Sequence, residues 1–579
     1  MAAAEIAGVR PKRAFWTSPL LPLVLALAVV LLLLSLPLSL PVGPMYWDVF
    51  IYYDAANRIF DGQMPVVDFF TPVGPLGYYL FAGWLALFPN AQPVLIAHWS
   101  LLALTLPMMA AVTIEADRQS RVAAFGLVLP FLLFSLLPFN THEYYPYPGS
   151  DGFGIYNRQV CQMLYVMVAA LLFVRRPAVL TAIVLVAMTS LFFLKITGFV
   201  AGLVVAGYAL LAGRLSWRQT AQLLAAFAAL LVALQLSSGL VSAYLAGIVA
   251  LTEMNSGTLA PRFLQSLSMN FGVVAPGGAL AILLVAADRH GLVERLAALG
   301  RERSIAAVAA LLDQDGLWLA AVLFAGILFE TQNTGSQAMI FVWPVLVAIA
   351  MKLPALARAP TLMAAVAVLA AATALPPAVG IAERAARAYA GVVKNVVLPH
   401  ERLKSLGALN MRPEVLRRAE VMLEIYPTHP LTYGLLVRSS ELPSPLLYSD
   451  FDFQVAHLMA IDRAIGAIEA LERANGIRFE TIMSLNFVNP FPWLMQRSAP
   501  LHVAIGADPT RAVPPPDANV AAAMRDTDLV LYPRCPPTTA NADLFRLYAP
   551  MLSEHRRIRL DACFDAFVHP RLAAALGTQ

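Results

Sequence analysis

Long apolar runs broken by short polar connectors dominate the first two thirds of the chain, and their lengths predict membrane helices. The first run, at residues 20–40, is about 20 residues long, enough to cross a bilayer. It follows Arg10, Lys12 and Arg13 and lacks an A-x-A cleavage site, so it reads as a retained first helix with its N-terminus in the cytoplasm. Further runs lie at roughly 93–113, 122–140, 159–174, 178–194, 197–213, 220–240, 271–287, 316–330, 336–352 and 360–378. The pattern predicts a polytopic α-helical membrane protein of about eleven transmembrane helices, with residues 75–88 reading as either a short span or an interfacial helix. Every alternate connector is basic: Arg118 and Arg121, Arg175 and Arg176, Arg214 and Arg218, Arg289 through Arg303, Lys352 and Arg358. The positive-inside rule assigns these to the cytoplasmic side.

After about residue 380 the pattern changes. Helical stretches such as FQVAHLMAIDRAIGAIEALERANG alternate with strand-like ones such as TIMSLNF, TDLVLYP and RIRLDACF. We expect a transmembrane domain at 1–379 and a C-terminal extracytoplasmic α/β domain at 380–579, outside because the eleventh span exits outward. Composition agrees: 59% hydrophobic and 13% charged residues exclude a soluble globule. The net charge of +4 sits in the connectors, which removes the case for a nucleic-acid partner. Cys535 and Cys563 both follow strand-like segments of the outer domain, where an oxidising compartment allows a disulfide; two buried free thiols are the alternative. Cys161 lies in a span, and no zinc-ligand spacing occurs.

The polar residues left over gather on the external side. Residues 46–88 carry Asp48, Asp54, Asp61 and Asp68, and a carboxylate at a bilayer edge costs several kcal/mol unless it is paired, wet or used. The second external loop, THEYYPYPGSDGFGIYNR, adds Glu143, Asp151 and Arg158. Lys195 interrupts LFFLKITGF at an external hairpin, and FETQNTGSQ contributes Glu330, Gln332, Asn333 and Gln337.

Within this set the order D-x-x-x-Y (Asp48, Tyr52), A-A-N-R at 55–58, Gly62, D-F-F at 68–70 and G-P-L-G-Y-Y-L at 74–80 resembles the GT-C membrane glycosyltransferases. It is most similar to the branch holding the protein mannosyltransferases, the lipid A aminoarabinose transferases and the bacterial galacturonosyltransferase-like proteins. The likeness covers roughly residues 15–210. It implies an enzyme that takes a sugar from a polyprenyl-phosphate carrier, with an acidic residue of the first external loop as base or acceptor-orienting group; Asp48 matches that position. Many relatives carry an Asp-Glu pair there, whereas this chain has Val49. No cofactor is therefore implied with certainty, and a divalent metal stays open.

The chemistry can also be built from residue types. Sugar transfer from a lipid phosphate needs a carboxylate for the nucleophile's proton and cations for the phosphate charge that develops. Asp48 is the base candidate, and Asp151 is a helper or sugar-hydroxyl ligand. Lys195 and Arg158 are the phosphate candidates, and Asp68, Glu330, Gln332 and Asn333 the sugar or acceptor contacts. Plainer roles compete with each. Asp48 could cap a helix, Asp54 pair with Arg58, Asp61 serve a turn, Asp151 sit in a flexible turn, and Lys195 snorkel to the interface. Tyr144, Tyr145 and Tyr147 read as an aromatic belt, and His142 with Glu143 is too small a set for a metal. The expected function is a glycosyltransferase acting on the periplasmic face of a bacterial inner membrane. Its partners are the polyprenyl-phosphate sugar, the bilayer, and a glycan, lipid or protein acceptor. A transporter or flippase of lipid-linked glycans, which usually shows broken helices in paired repeats, and a non-catalytic envelope-glycan assembly protein are the alternatives. No Gly-rich nucleotide loop appears, which disfavours a nucleotide-sugar donor.

Overall fold

A computed structural model describes residues 17–143, 149–255, 259–333, 335–439, 441 and 451–576; Arg10, Lys12, Arg13, Tyr144, Tyr145 and Tyr147 lie outside the described residues. The first half holds α1 (Leu21–Leu34), α2 (Asp48–Phe60), α3 (Leu76–Leu87), α4 (Pro93–Trp99), α5 (Leu102–Gln119), α6 (Arg121–Leu136), α7 (Ile155–Phe173), α8 (Pro177–Leu194) and α9 (Ile196–Leu211). Then come α10 (Trp217–Ser238), α11 (Leu240–Met254), α12 (Leu259–Met269), α13 (Phe271–Ala287), α14 (Arg289–Glu302), α15 (Ile305–Leu312), α16 (Asp315–Glu330), α17 (Trp343–Ala350) and α18 (Pro360–Ala390).

Among the described residues, α8, α10 and the stretch Pro360–Lys394 are each long and apolar enough to span alone, and three bent pairs (α4 with α5, α12 with α13, α15 with α16) qualify together. This is the inventory of a membrane protein. α10 is framed by a Ser216–Gln219 capping box and by Gly239 in the left-handed region, and none of its residues is buried. An apolar helix that is exposed all round faces lipid. α7 is the opposite case. Its first turn carries Asn157, Arg158 and Gln159, yet all of these are buried with the apolar residues that follow, so it forms the centre of the bundle.

The expected eleven separate spans differ from this arrangement. Residues 241–270, read as a connector, hold α11 and α12. At 15 residues, α11 falls below the length that a 20-residue apolar window detects. The expected spans at 93–113 and 316–330 belong to helix pairs bent by 44° and 80°. The basic connectors do meet one another: Arg121 bonds Thr17, Glu115 pairs with Arg118 and Arg176, Arg214 pairs with Asp313, and Lys352 pairs with Asp315.

The C-terminal part, the outer part of the sequence expectation, is tied to the segment after α1 by strands. β1 (Leu40–Pro41) pairs in parallel with β3 (Leu409–Met411), which also pairs with β2 (Val396–Val397). A second sheet runs in the order β4 (Ile482–Ser484), β5 (Leu529–Pro533), β7 (Phe564–Val568), β6 (Arg556–Arg559), with β4 and β5 parallel and the others antiparallel. Helices α19 (Pro413–Thr428), α20 (Pro430–Ser439) and α21 (Phe451–Asn475) accompany it. Cys535 is bonded to Cys563 between the end of β5 and the start of β7, with 4.7 Å between their Cα atoms, while Cys161 is free and buried. The boundary expected at 379/380 falls inside α18. Hydropathy drops at Glu383, but the Ala, Glu and Arg residues that follow are strong helix formers and carry the helix onward.

Residues 149–154 are buried, contrary to the flexible turn expected of PGSDGFG. A Cβ on Gly149 would lie 2.0 Å from the Val42 carbonyl oxygen, so the segment before α7 meets the segment after α1 backbone to backbone. Asp151 fixes the rest: both its carboxylate oxygens accept from Arg384 Nη2 of α18 at 2.9 and 2.8 Å, and Oδ2 also accepts from Asn140 N at 2.7 Å. Arg384 Nη1 donates to the Asn140 carbonyl at 2.6 Å. Both side chains are almost wholly buried, at 5% and 1% exposure. Removing one partner of such a pair costs about 3–5 kcal/mol, because the other charge stays buried without compensation. Arg384→Met and Asp151→Ala should therefore each lower the thermal unfolding temperature in detergent. The double variant should fall short of the sum of the two losses, and strict additivity would show that the pair is not coupled.

Candidate functional site

α2 is set in place from both sides. Tyr46 N donates to Gln454 Oε1 at 2.8 Å, Tyr46 Oη to the Leu406 carbonyl at 3.0 Å, and Asn57 Nδ2 to the Arg497 carbonyl at 3.0 Å, all in the outer part. Arg58 Nε donates to Asp54 at 2.9 Å and Nη1 to the Pro500 carbonyl at 2.6 Å, with the guanidinium 5.0 Å from the Phe69 ring centre. Asp54 is thus the buried partner of Arg58. Asp61 ends the helix at the surface. Asp68 staples its own loop: its Oδ2 accepts from Met64 N at 2.7 Å, and its carbonyl accepts from His502 N at 2.6 Å.

Asp48 is placed differently. It is the first residue of α2, but the helix has no side-chain cap, so the carboxylate does not serve its own helix. Its Oδ2 instead accepts from Gly154 N at 3.4 Å, at the start of α7. Gly154 adopts φ +67°, and a Cβ there would sit 2.5 Å from the Gly335 carbonyl oxygen, which makes glycine the residue that fits. The N-terminus of α7 favours negative charge. Burial acts more strongly in the other direction and pushes the Asp48 carboxyl up to about 7, against the lowering effects of the Gly154 N–H, Arg511 and Arg158. Tyr52, Tyr78 and Tyr156 also feel its charge. Asp48 and Tyr156 are each half-buried, so neither is sealed in the core.

A second group adjoins it. Lys195, at the break between α8 and α9, donates from Nζ to Asn157 Oδ1 at 2.9 Å, to the Gln332 carbonyl at 3.2 Å and to Asn333 Oδ1, and lies 5.1 Å from the Tyr156 ring centre. Partners on two other segments replace the snorkelling expected of an interfacial lysine. Asn333 Nδ2 bonds the Phe329 carbonyl at 2.8 Å, Gln332 Oε1 accepts from Arg262 at 2.7 Å, and Glu330 Oε1 accepts from Ser336 at 2.8 Å. The sequence candidates Asp48, Lys195, Gln332, Asn333 and Glu330 are thereby assembled at one end of the bundle.

Two candidates are spent elsewhere. Arg158 is fully buried, and its Nε, Nη1 and Nη2 go to His98 Nδ1 at 3.2 Å, Asn140 Oδ1 at 2.9 Å, the Phe153 carbonyl at 2.6 Å and the Asp151 carbonyl at 3.1 Å. Four of its five N–H donors are engaged and the group is fully buried, so it acts on Asp48 through its charge. Asp151 is likewise consumed by Arg384 and Asn140, so the helper role expected of it has no free oxygen edge. The sequence reading missed Tyr156, Asn157, Arg262 and Arg511. The first two stand beside Arg158 in the quoted IYNR, and Arg511 carried one signal, the i, i+3 spacing to Asp508 that it bonds through Nε at 2.6 Å. Among the described residues no three His, Cys, Asp or Glu side chains come together as a metal-ligand cluster.

No protein-family model matches the chain, and no curated protein matches it. Among solved structures it is similar to the crystal structure of ArnT from Cupriavidus metallidurans in the apo state, with a TM-score of 0.39 and 16% identity over 96% of this chain and 99% of that one. The same ArnT bound to undecaprenyl phosphate gives a TM-score of 0.38 and 14% identity over 96% and 99%. The archaeal oligosaccharyltransferase AglB from Archaeoglobus fulgidus, in complex with an inhibitory peptide and a dolichol-phosphate, gives 0.29 and 14% over 94% of this chain and 72% of that one. ArnT and AglB are both GT-C superfamily members. At overlaps this low the similarity carries nothing about chemistry, which the residues themselves have to supply.

Proposed function

We propose that the protein is a membrane glycosyltransferase that moves a sugar from a polyprenyl-phosphate carrier to an envelope acceptor on the extracytoplasmic face. The observation that carries this reading is the half-buried Asp48 carboxyl, pushed up to about 7, at a helix N-terminus and within Coulomb reach of a guanidinium. A base is most effective when its pKa lies near the working pH. In the reaction, the acceptor's oxygen or nitrogen attacks the anomeric carbon and its proton passes to Asp48. The bond from the anomeric carbon to the phosphate oxygen breaks, and the phosphate leaves with the electron pair. Lys195 supplies positive charge where that negative charge grows. The leaving phosphate is a weak base, so no general acid is needed. The outer part covers this end of the bundle through its bonds to α2, which supports an acceptor entering between the two.

The test is transfer of labelled sugar from a polyprenyl-phosphate donor to cell-envelope acceptors by the purified protein. Asp48→Asn, isosteric and unable to accept a proton, should lower the rate about 10²–10⁴-fold with unfolding temperature unchanged. Equal transfer by both proteins would sink the base assignment. The unprotonated carboxylate is the active form, so kcat/KM should rise with pH through a midpoint near 7 and be lost as pH falls below it. A flat profile across that midpoint would remove Asp48 from the proton transfer.

A further inference from the structure

Arg511 stands out among the cations of the site by what it has left to give. Its Nε is held by Asp508 Oδ2 at 2.6 Å, while its two terminal amino groups have no protein partner among the described residues and its side chain is 54% exposed. Asp508 is a fixed mount: 5% exposed, it also accepts from Thr510 N at 3.0 Å and Thr510 Oγ1 at 2.6 Å, and its carbonyl accepts from Ala512 N at 2.8 Å. The segment leading to it runs along the first external loop. His502 N bonds the Asp68 carbonyl, Ile505 N bonds the Phe70 carbonyl at 3.0 Å, and the Arg511 carbonyl accepts from Asn255 Nδ2 at 3.1 Å at the end of α11. The guanidinium therefore hangs from the outer part above the membrane helices, close enough to Asp48, Tyr156 and Lys195 to act on the charge of each.

Two of the other cations are more committed: Arg158 is fully buried with four of its five donors engaged, and Lys195 already has three oxygen partners. Arg262, bonded to the Gln332 side chain, is not among the charges that act on Asp48. We infer that Arg511 is the donor-phosphate clamp, a planar fork supplied by the outer part that closes over the lipid phosphate from the side opposite the membrane helices. A guanidinium with both terminal amino groups free meets two phosphate oxygens at once, which an ammonium does not. The inference rests on the function proposed above and adds the residue that the outer part contributes to it. It also gives Asp48 a neighbour whose charge favours the carboxylate, so loss of Arg511 would move the acid limb of the pH profile upward.

Binding separates the two claims. Full-length protein in detergent is titrated with undecaprenyl phosphate and, in parallel, with undecaprenol, which lacks the phosphate. Arg511→Met should weaken the phosphate lipid roughly 10- to 100-fold, the range for a hydrogen bond to a charged group, and leave undecaprenol unchanged. Arg511→Lys should recover part of the loss, and Arg546→Ala, an exposed outer arginine paired only with Asp543, should change neither. If wild type binds both lipids equally, the lipid-phosphate reading itself falls, and the clamp with it. If wild type prefers the phosphate and Arg511→Met keeps that preference, or weakens both lipids alike, the clamp is overturned while the function stands.

Discussion

The arrangement depends on one buried ion pair, Arg384 with Asp151. A buried pair is weak evidence for stability, since desolvation consumes most of what attraction returns. Its consequence here is position. Asp151 holds Asn140 and the residues just before Gly154 against α18, and these set where α7 begins. The start of α7 then presents the Gly154 N–H to Asp48 and Asn157 to Lys195. Arg158, bonded to the same loop, brings its charge to Asp48 without giving up a donor. Moving Asp151 would therefore disturb both halves of the site, although it touches neither carboxylate nor ammonium there.

Much of this was legible in the sequence, and what was not has definite causes. Apolar runs announced α1, α5, α6, α8, α9, α10, α13, α16 and α18, because a bilayer demands length and hydrophobicity that a window can count. The same window passed over α11, and it stopped where α18 became charged although the helix continued. Asp48, Lys195 and the 330–333 amides were visible as polar residues in apolar surroundings. What could not be seen was which of them the fold would consume. Asp151 and Arg158 looked like chemistry and are structure, because their partners Arg384 and His98 lie 233 and 60 residues away. Arg511 showed only its i, i+3 spacing to Asp508, and nothing local in the sequence brings it near Asp48.

The missing second acid also has a structural account. Val49, where many of the GT-C enzymes that the first loop resembles carry Glu, is wholly buried in the apolar core. A carboxylate there would be desolvated with no cation provided for it, a cost of several kcal/mol. The backbone that leaves Asp48 half-buried turns the next side chain inward, so at this position the packing calls for an apolar residue. One half-buried carboxylate at its start is then what α2 can offer.

That leaves the charge of the site to be balanced from a distance. In a helix bundle every cation must find oxygens to survive burial, and a cation that has found them has nothing left for a ligand. Arg158 illustrates the limit: it is fully buried, with four of its five donors bonded, and it reaches Asp48 through its field. A guanidinium with free amino groups has to stand where water can solvate it until a substrate arrives, and the surface of the outer part above α2 and α11 is such a place. Arg511 occupies it, exposed on one edge and held on the other by Asp508. On this view the outer part serves the site because it can keep a solvated cation beside a desolvated carboxylate, which a bundle in lipid cannot do with its own residues.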